Sequence, residues 1–311
     1  MSDLAMALTD ETPSDFGDAP ASGADALTVD RLSPSLGAEV RGLALADAGP
    51  DEVALIDRLL VEHMVLFFPE QQLTLDQHVT LGARFGPLEG HPNLKNPFTD
   101  RDEIFEIAAS RGGVADEWHT DLTFRESPSV LSILNMVECP DTGGDTMWAN
   151  LCDAYDALSA PMQELCNGLT ALHDAQAHKR PERMAVHPVV RVHPVTGLRA
   201  LYVNQHFTRR IVELDHRESD ALLGLLTQWV AQDEFTVRYR WSKGTVAMWD
   251  NRCTQHRVVN DFGGERLIQR VTVSGDRPEG DEPRWAPHPK HGGALSRFDW
   301  QLHDFLENGT G

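Results

Sequence analysis

The chain has 311 residues, with 48 acids against 27 Lys and Arg, so its formal charge is −21. A surface this acidic repels phosphate backbones and anionic lipid, which argues against nucleic acid or a membrane surface as partner. With 41% hydrophobic and 24% charged residues, the composition is that of a globular protein with one large core or two small ones.

Residues 1–26 are rich in Asp, Ala, Ser, Gly and Pro without apolar periodicity, and read as a disordered acidic tail. Residues 1–30 hold seven acids and no Lys or Arg, a third of the net imbalance. The start, Met1-Ser2-Asp3-Leu4, lacks the basic segment of a signal peptide. No apolar run approaches the ~18 residues of a transmembrane helix. The cysteines at 139, 152, 166 and 253 form no C-x-x-C and read as reduced thiols, which predicts a cytoplasmic protein.

Order is expected from Leu27. Val53, Ile56, Leu59 and Leu60 predict a helix over Asp51–His63, followed by a short buried strand at Met64–Phe68 that Pro69 stops. Thr74 is a candidate N-cap for a helix to about Phe85. Strand-like runs follow at Ile104–Ala108, His119–Phe124, Ser129–Val137 and Thr146–Ala149, then helices at Asp153–Leu158 and after Pro161. Further strands are predicted at Val189–His193, Leu201–Asn204, Phe235–Trp241, Thr245–Trp249 and Leu267–Val273, with a helix at Arg217–Gln232. Many short strands without β-α alternation predict a mainly β fold with flanking helices, a sandwich or jelly roll. The expected organisation is a tail (1–26), one domain (27–276) and a C-terminal arm (277–311) with a short helix near Trp300–Leu306.

On a strand, His119 and Asp121 of Trp118–Asp121 would project from one face. Two imidazoles and one carboxylate make a facial triad suited to Fe(II), with three positions left open. The pattern alone is weak, since 14 His and 28 Asp in 311 residues produce about one H-x-D by chance. The comparable His216-Arg217-Glu218 reads as solvated text at a helix start. Three other features add weight: the turn-to-strand run GGDTMW (143–148), WDNRCTQH (249–256), and ERLIQR (265–270). The last places Arg266 and Arg270 four apart, on one face of a strand. Guanidinium groups hold carboxylates bidentately, so two inward arginines imply two anions, or one anion and an ion pair.

From about Leu27 to Asp276 the sequence resembles the taurine/2,4-D dioxygenase (TauD/TfdA) family of Fe(II)/2-oxoglutarate-dependent oxygenases. WHTD, GGDTMW, HPVVRVHPVTG, LYVN, WDNRCTQH and ERLIQR carry the resemblance, in family order. It implies a double-stranded β-helix, and His119, Asp121 and His256 as iron ligands. It further implies Thr146 and Arg266 on the distal carboxylate of 2-oxoglutarate, and Arg270, His91 and the Leu122 backbone N–H on the acidic head of the substrate. O₂ is the second cosubstrate. Phe124, Phe207, Trp148, Trp241 and Trp249 match aromatic positions near the site, where a plain core role is an equal reading. His187 and His193 read as structural, and Cys253 as a small buried hydrophobe.

The resemblance also bears on substrate. Taurine enzymes carry Tyr where this chain has Leu94, and Asn where it reads Ala115-Asp116-Glu117; the stretch from His178 to His187 is shorter. The set that holds taurine's amine is therefore incomplete. A more apolar small anion is expected, an alkyl sulfate or sulfonate first and an aryloxyalkanoate or other carboxylic acid second. A non-catalytic metal-binding jelly roll and a zinc hydrolase are the alternatives of other classes. A homo-oligomer is left open by the sequence.

Overall fold

The apolar run at 64–68 forms a strand whose side chains enter two different cores: Val65 and Phe67 one, Leu66 and Phe68 the other. A strand covered on both faces needs no polar alternation, which accounts for the unbroken apolar text. The protein is described here by a computed structural model covering residues 26–90, 101–112 and 114–288.

In chain order the elements are β1 (Thr28–Arg31), β2 (Ala38–Arg41), α1 (Pro50–His63), β3 (Val65–Phe68), α2 (Leu75–Ala83), β4 (Leu88–Glu89), β5 (Phe105–Ala108), β6 (Leu131–Glu138), β7 (Thr146–Asn150), α3 (Leu151–Asp156) and α4 (Ala160–Cys166). They continue with β8 (Thr170–Ala175), β9 (Arg180–Pro188), β10 (Val190–Val192), β11 (Arg199–Leu201), β12 (Thr208–Ile211), α5 (His216–Val230), β13 (Thr236–Tyr239), β14 (Val246–Asp250), β15 (Thr254–Val258) and β16 (Leu267–Val273). The main sheet runs β1-β2-β3-β14-β6-β16-β4, with β5 also on β16; β13-β7-β15 and β12-β8-β9 form two smaller sheets, and β10-β11 a ribbon.

One face of the main sheet packs on α1 and α2 through Leu66, Phe68, Ile133, Met248 and Val271 against Ile56, Leu60 and Leu81. The other face meets the β13-β7-β15 sheet, where Phe67 stacks on Tyr239 at 3.8 Å and meets Trp148 edge-on at 5.1 Å. Side chains at 132, 134 and 136 of β6 and 268 and 270 of β16 share that inner face by the two-residue period. The expected sandwich-type β fold with flanking helices is therefore present.

Several expectations need correction. His119–Phe124 is no strand: His119 forms an isolated antiparallel bridge to His256, and residues 121–124 are turns. The strand β15, and with it β1, β2, β8, β9 and β12, was not expected from the sequence. Thr-Gln-His-Arg-Val in β15 lacks apolar alternation because Thr254, Gln255 and His256 are polar residues that are nonetheless buried. The helix expected at Asp153 begins at Leu151, since Asn150 caps it by accepting from the Cys152 and Asp153 N–H groups. The strand expected at Leu201–Asn204 ends at Leu201. The His216 text is a helix start as expected: Asp215 caps α5 and Glu218 closes the capping box. Residues 1–25, His91, Leu94 and the helix expected near Trp300–Leu306 lie outside the described residues. The described part of the C-terminal stretch lies back on the domain through backbone bonds from Val192 to Glu279, Arg284 to Gly168 and His288 to Val212.

Fully buried His78 on α2 donates Nε2–H to the Ile133 carbonyl at 3.0 Å, and burial lowers its pKa from 6.5 to about 4. The unfolded chain therefore binds a proton that the folded one refuses between those values. Stability is full above pH 6.5 and falls as pH drops toward 4, by up to about 3 kcal/mol for this group. Urea midpoints of metal-free protein should decline over that window, and His78→Gln, which keeps a donor but does not titrate, should flatten the decline. An unchanged slope in the variant removes His78 from the account.

Candidate metal centre and active site

His119 and His256 are joined by their backbones, His119 N–H to His256 O at 3.0 Å and the reverse at 2.8 Å. The Thr120 hydroxyl donates to Thr254 O at 2.8 Å, which fixes the register of this crossing. The chain then turns. Leu122 is left-handed at φ 56°, a conformation that costs a non-glycine residue about 1–2 kcal/mol, and it lies one residue after Asp121.

The turn is held from behind. His187 donates Nε2–H to Thr123 O at 2.8 Å, and Asn204 Nδ2 donates to the Thr123 hydroxyl at 3.2 Å. The HPVVRVHPVTG and LYVN motifs thus hold the turn after Asp121 through His187 and Asn204. His193, expected to be structural, donates Nε2–H to Asp250 at 3.0 Å, where Arg252 also sits.

One donor atom each of His119, Asp121 and His256 lies within 4.8 Å of the others, and all three residues are buried. The His119 Nδ1–H is committed to Glu117 O at 2.8 Å, leaving Nε2 as a lone-pair donor. His256 Nδ1 is buried without a hydrogen-bond partner among the described residues. Burial lowers the pKa of His119 to about 4 and that of His256 well below its usual value. Burial pushes Asp121 up, but Arg270, His256 and His119 more than offset it, and the carboxyl ends below its ordinary range. Two neutral imidazoles and a carboxylate are the protonation states a divalent cation requires, so the residues fit a metal.

A second buried cluster, His193, Asp250 and Cys253, is equally close. Its donors are spoken for: His193 Nδ1 accepts from Val195 and Thr196 N–H, Arg252 grips Asp250, and the Cys253 thiol is held protonated with its pKa raised. It is a structural pin of the loop between β14 and β15.

A small cavity beside His119 and His256 is lined by Thr146, Trp148, Arg266 and Arg270. Gly143 (φ 74°) and Gly144 (φ 70°) turn the chain into β7 there, and a Cβ on Gly143 would meet Asp261 O at 2.7 Å. Arg266 is 4% exposed, and among the described residues its guanidinium donates to neutral acceptors, Gly144 O at 3.0 Å and Thr146 Oγ1 at 3.1 Å. Burial brings its pKa down to about 10, and among the described residues no carboxylate lies within ion-pair distance. Thr146 Oγ1 accepts from Arg266 and from Trp241 Nε1 at 2.9 Å, so its own proton is left to donate. A buried cation beside a hydroxyl with a free proton is a site for an anion.

Arg270, also buried, places NH1 2.5 Å from Asp121 Oδ1, and its Nε is buried without a partner among the described residues. The two arginines therefore have different partners, although both were expected on one strand face: a register shift between Leu267 and Ile268 separates them, with Arg266 just before β16.

Four of the five aromatics contact a candidate site residue directly, and Phe124 does so through Phe207. Trp148 stacks on His256 at 6.3 Å, Trp249 lies 4.7 Å from it, Trp241 bonds Thr146, Phe207 lies 6.4 Å edge-on to His119, and Phe124 packs on Phe207 at 5.3 Å. Sequence reasoning missed His206, whose Nδ1 is 2.6 Å from Glu117 and whose ring is 5.6 Å from His119, and His178, 6.0 Å from His206. It also missed Ser132 and Asn251, discussed below. Of these, Asn251 lies inside the WDNRCTQH motif and His206 follows LYVN closely, while Ser132 stands in no motif.

Residues 28–272 match the family described as taurine catabolism dioxygenase TauD, TfdA family. The chain belongs to this family. Among TauD/TfdA relatives, the α-ketoglutarate-dependent sulfate ester dioxygenase of Pseudomonas putida is 37% identical over 278 residues, covering 82% of this chain and 91% of that protein. An alkylsulfatase of Acinetobacter baylyi is 35% identical over 274 residues, covering 80% of this chain and 86% of its own. A solved taurine dioxygenase from Burkholderia xenovorans superposes with a TM-score of 0.76 at 38% identity, over 89% of this chain and 98% of that one. The TauD-type neighbours have the jelly-roll fold, as the sequence predicted. Among the described residues no helix is long and apolar enough to cross a membrane.

Proposed function

We propose that this protein is an Fe(II)- and 2-oxoglutarate-dependent dioxygenase that oxidises a small alkyl sulfate or alkyl sulfonate. His119, Asp121 and His256 hold the iron. Thr146 and Arg266 hold the distal carboxylate of 2-oxoglutarate, and Arg270 takes the acidic head of the substrate with His91 and the Leu122 N–H. The observation that carries the reading is the His–Asp–His cluster flanked by two buried guanidinium groups, one of them without a carboxylate partner among the described residues. The similarity to a sulfate ester dioxygenase and an alkylsulfatase favours sulfur-bearing anions.

When bound, iron with 2-oxoglutarate and O₂ supplies an oxidant able to hydroxylate an unactivated C–H bond, releasing succinate and CO₂. The chain's own residues bind and orient. Arg266 and the Thr146 hydroxyl fix the cosubstrate by its far end, and Trp241 holds that hydroxyl in place. Arg270 anchors the substrate head, so the adjacent carbon is the one presented to the oxidant. Phe124, Phe207 and Trp249 line the surroundings with apolar surface that excludes water. Hydroxylation at a carbon bearing sulfate produces an unstable adduct, which collapses to an aldehyde and inorganic sulfate. The free cysteines accord with a cytoplasmic location.

A succinate-release screen with Fe(II) and ascorbate, over alkyl sulfates, alkyl sulfonates, taurine and aryloxyalkanoates, tests the proposal. Tight coupling of succinate to aldehyde and sulfate is expected for medium-chain alkyl sulfates. No succinate with any acid offered refutes the enzyme reading, and tight coupling only with aryloxyalkanoates refutes the substrate class.

A further inference from the structure

Asp121 is held at both oxygens. Arg270 occupies Oδ1, and the Ser132 hydroxyl lies 2.7 Å from Oδ2. Ser132 sits on β6, between β14 and β16, where it pairs with Trp249 on one side and Thr272 on the other, so its backbone has no freedom. Its oxygen is 2.8 Å from Asn251 Nδ2, and Asn251 Oδ1 is 3.0 Å from Trp249 Nε1. Ser132, Trp249 and Asn251 are completely buried.

The direction of every bond in this series follows from chemistry. An indole N–H only donates, so the Asn251 oxygen faces Trp249 and its NH₂ faces Ser132. The Ser132 oxygen accepts that bond, and a carboxylate only accepts, so the single hydroxyl proton points at Asp121 Oδ2. The series runs one way, Trp249 to Asn251 to Ser132 to Asp121, and the backbone N–H of Asn251 is itself fixed on Val130 O at 2.9 Å.

We propose that Trp249, Asn251 and Ser132 act as positioning residues that lock the Asp121 carboxylate in one orientation and thereby set the affinity of the metal centre. The inference rests on Asp121 being a metal ligand. Neither Ser132 nor Asn251 reaches the cavity beside the ligands, so their influence passes through Asp121 alone. Each Asp121 oxygen receives one donor, which leaves a lone pair on a carboxylate that cannot rotate. Partners of this kind change metal affinity by roughly 10- to 100-fold when removed.

The test is Mn(II) binding to the full-length protein, followed by the loss of the free-ion EPR signal, with far-UV circular dichroism as the folding check. Ser132→Ala should weaken binding about 10- to 100-fold, Ser132→Thr should restore it to within about threefold, and Asn251→Leu should weaken it less than Ser132→Ala. Because Asn251 acts through Ser132, the double variant should bind no more weakly than Ser132→Ala alone. Affinity within twofold of the parent for Ser132→Ala, equal loss in Ser132→Thr, or additive losses in the double variant overturns the proposal. Should Ser132→Ala not fold, Asn251→Leu decides, parental affinity overturning it. Asp121→Ala separates the two levels. If it abolishes binding while the Ser132 and Asn251 variants bind normally, only the locking series is wrong; if it binds as the parent does, the metal assignment falls as well.

Discussion

Asp121→Ala is expected to abolish metal binding and to lower succinate formation by about a thousandfold or more, since the Lewis-acid centre no longer assembles. The fold should survive with reduced stability. Removing the carboxylate strands the Arg270 guanidinium, 7% exposed, and the Ser132 hydroxyl inside the sheet interface, and breaking a buried pair costs about 3–5 kcal/mol. Asp121→Asn keeps the shape and loses the charge, so it should separate metal loss from packing loss. Metal content per chain, circular dichroism and succinate release are the measurements. A folded Asp121→Ala protein that retains stoichiometric metal and a tenth of the activity shows that the carboxylate is not a ligand.

The second large effect is at Arg270. Truncating a buried charged partner of an anion costs about 2–5 kcal/mol, between roughly thirtyfold and several thousandfold. Arg270→Ala should raise KM for the primary substrate by that order while slow, uncoupled consumption of 2-oxoglutarate persists at saturating metal. Because Arg270 also occupies Asp121 Oδ1, the variant should need more metal to saturate. Arg266→Ala should show the opposite split: its loss falls on KM for 2-oxoglutarate, since its acceptors are Gly144 O and Thr146 Oγ1 beside the cavity. Steady-state kinetics on both substrates, with succinate and product measured together, decide it. Equal loss of coupled and uncoupled turnover in Arg270→Ala means the two arginine roles are wrongly divided.

The sequence made the sheet core and the candidate ligand residues legible for different reasons. Val65–Phe68 and Leu267–Val273 read as strands because their apolar content reflects burial on two faces. β15 did not, because Thr254, Gln255 and His256 are buried polar residues, the first two bonded to the Asp250 and Val203 carbonyls and the third in the candidate metal cluster, and polar text conceals the period. His119–Phe124 looked like a strand on composition, yet one left-handed residue and a network from His187 and Asn204 turn it after a single bridge. His119, Asp121 and His256 were singled out because their motifs resemble those of a family, and the structure brings one donor atom of each within 4.8 Å of the others. Ser132 and Asn251 were not singled out, since a serine inside Leu-Ser-Ile-Leu and an asparagine after Trp-Asp carry no spacing signal; what they do depends on strands far apart in sequence meeting edge to edge.

The reciprocal bridge between His119 and His256 has a consequence for assembly. These residues are well over a hundred positions apart in the chain, and the polypeptide must close the smaller sheet before their imidazoles meet. Only His119 and Asp121 are local to one another, and the third donor, His256, joins them when β15 is in place. An early-bound ion would lack a third of its protein donors and template folding less than it does in a zinc finger. The three-donor cluster is complete only in the assembled scaffold. Chelation should therefore inactivate the enzyme without unfolding it, and the same molecules should be recharged by adding metal back.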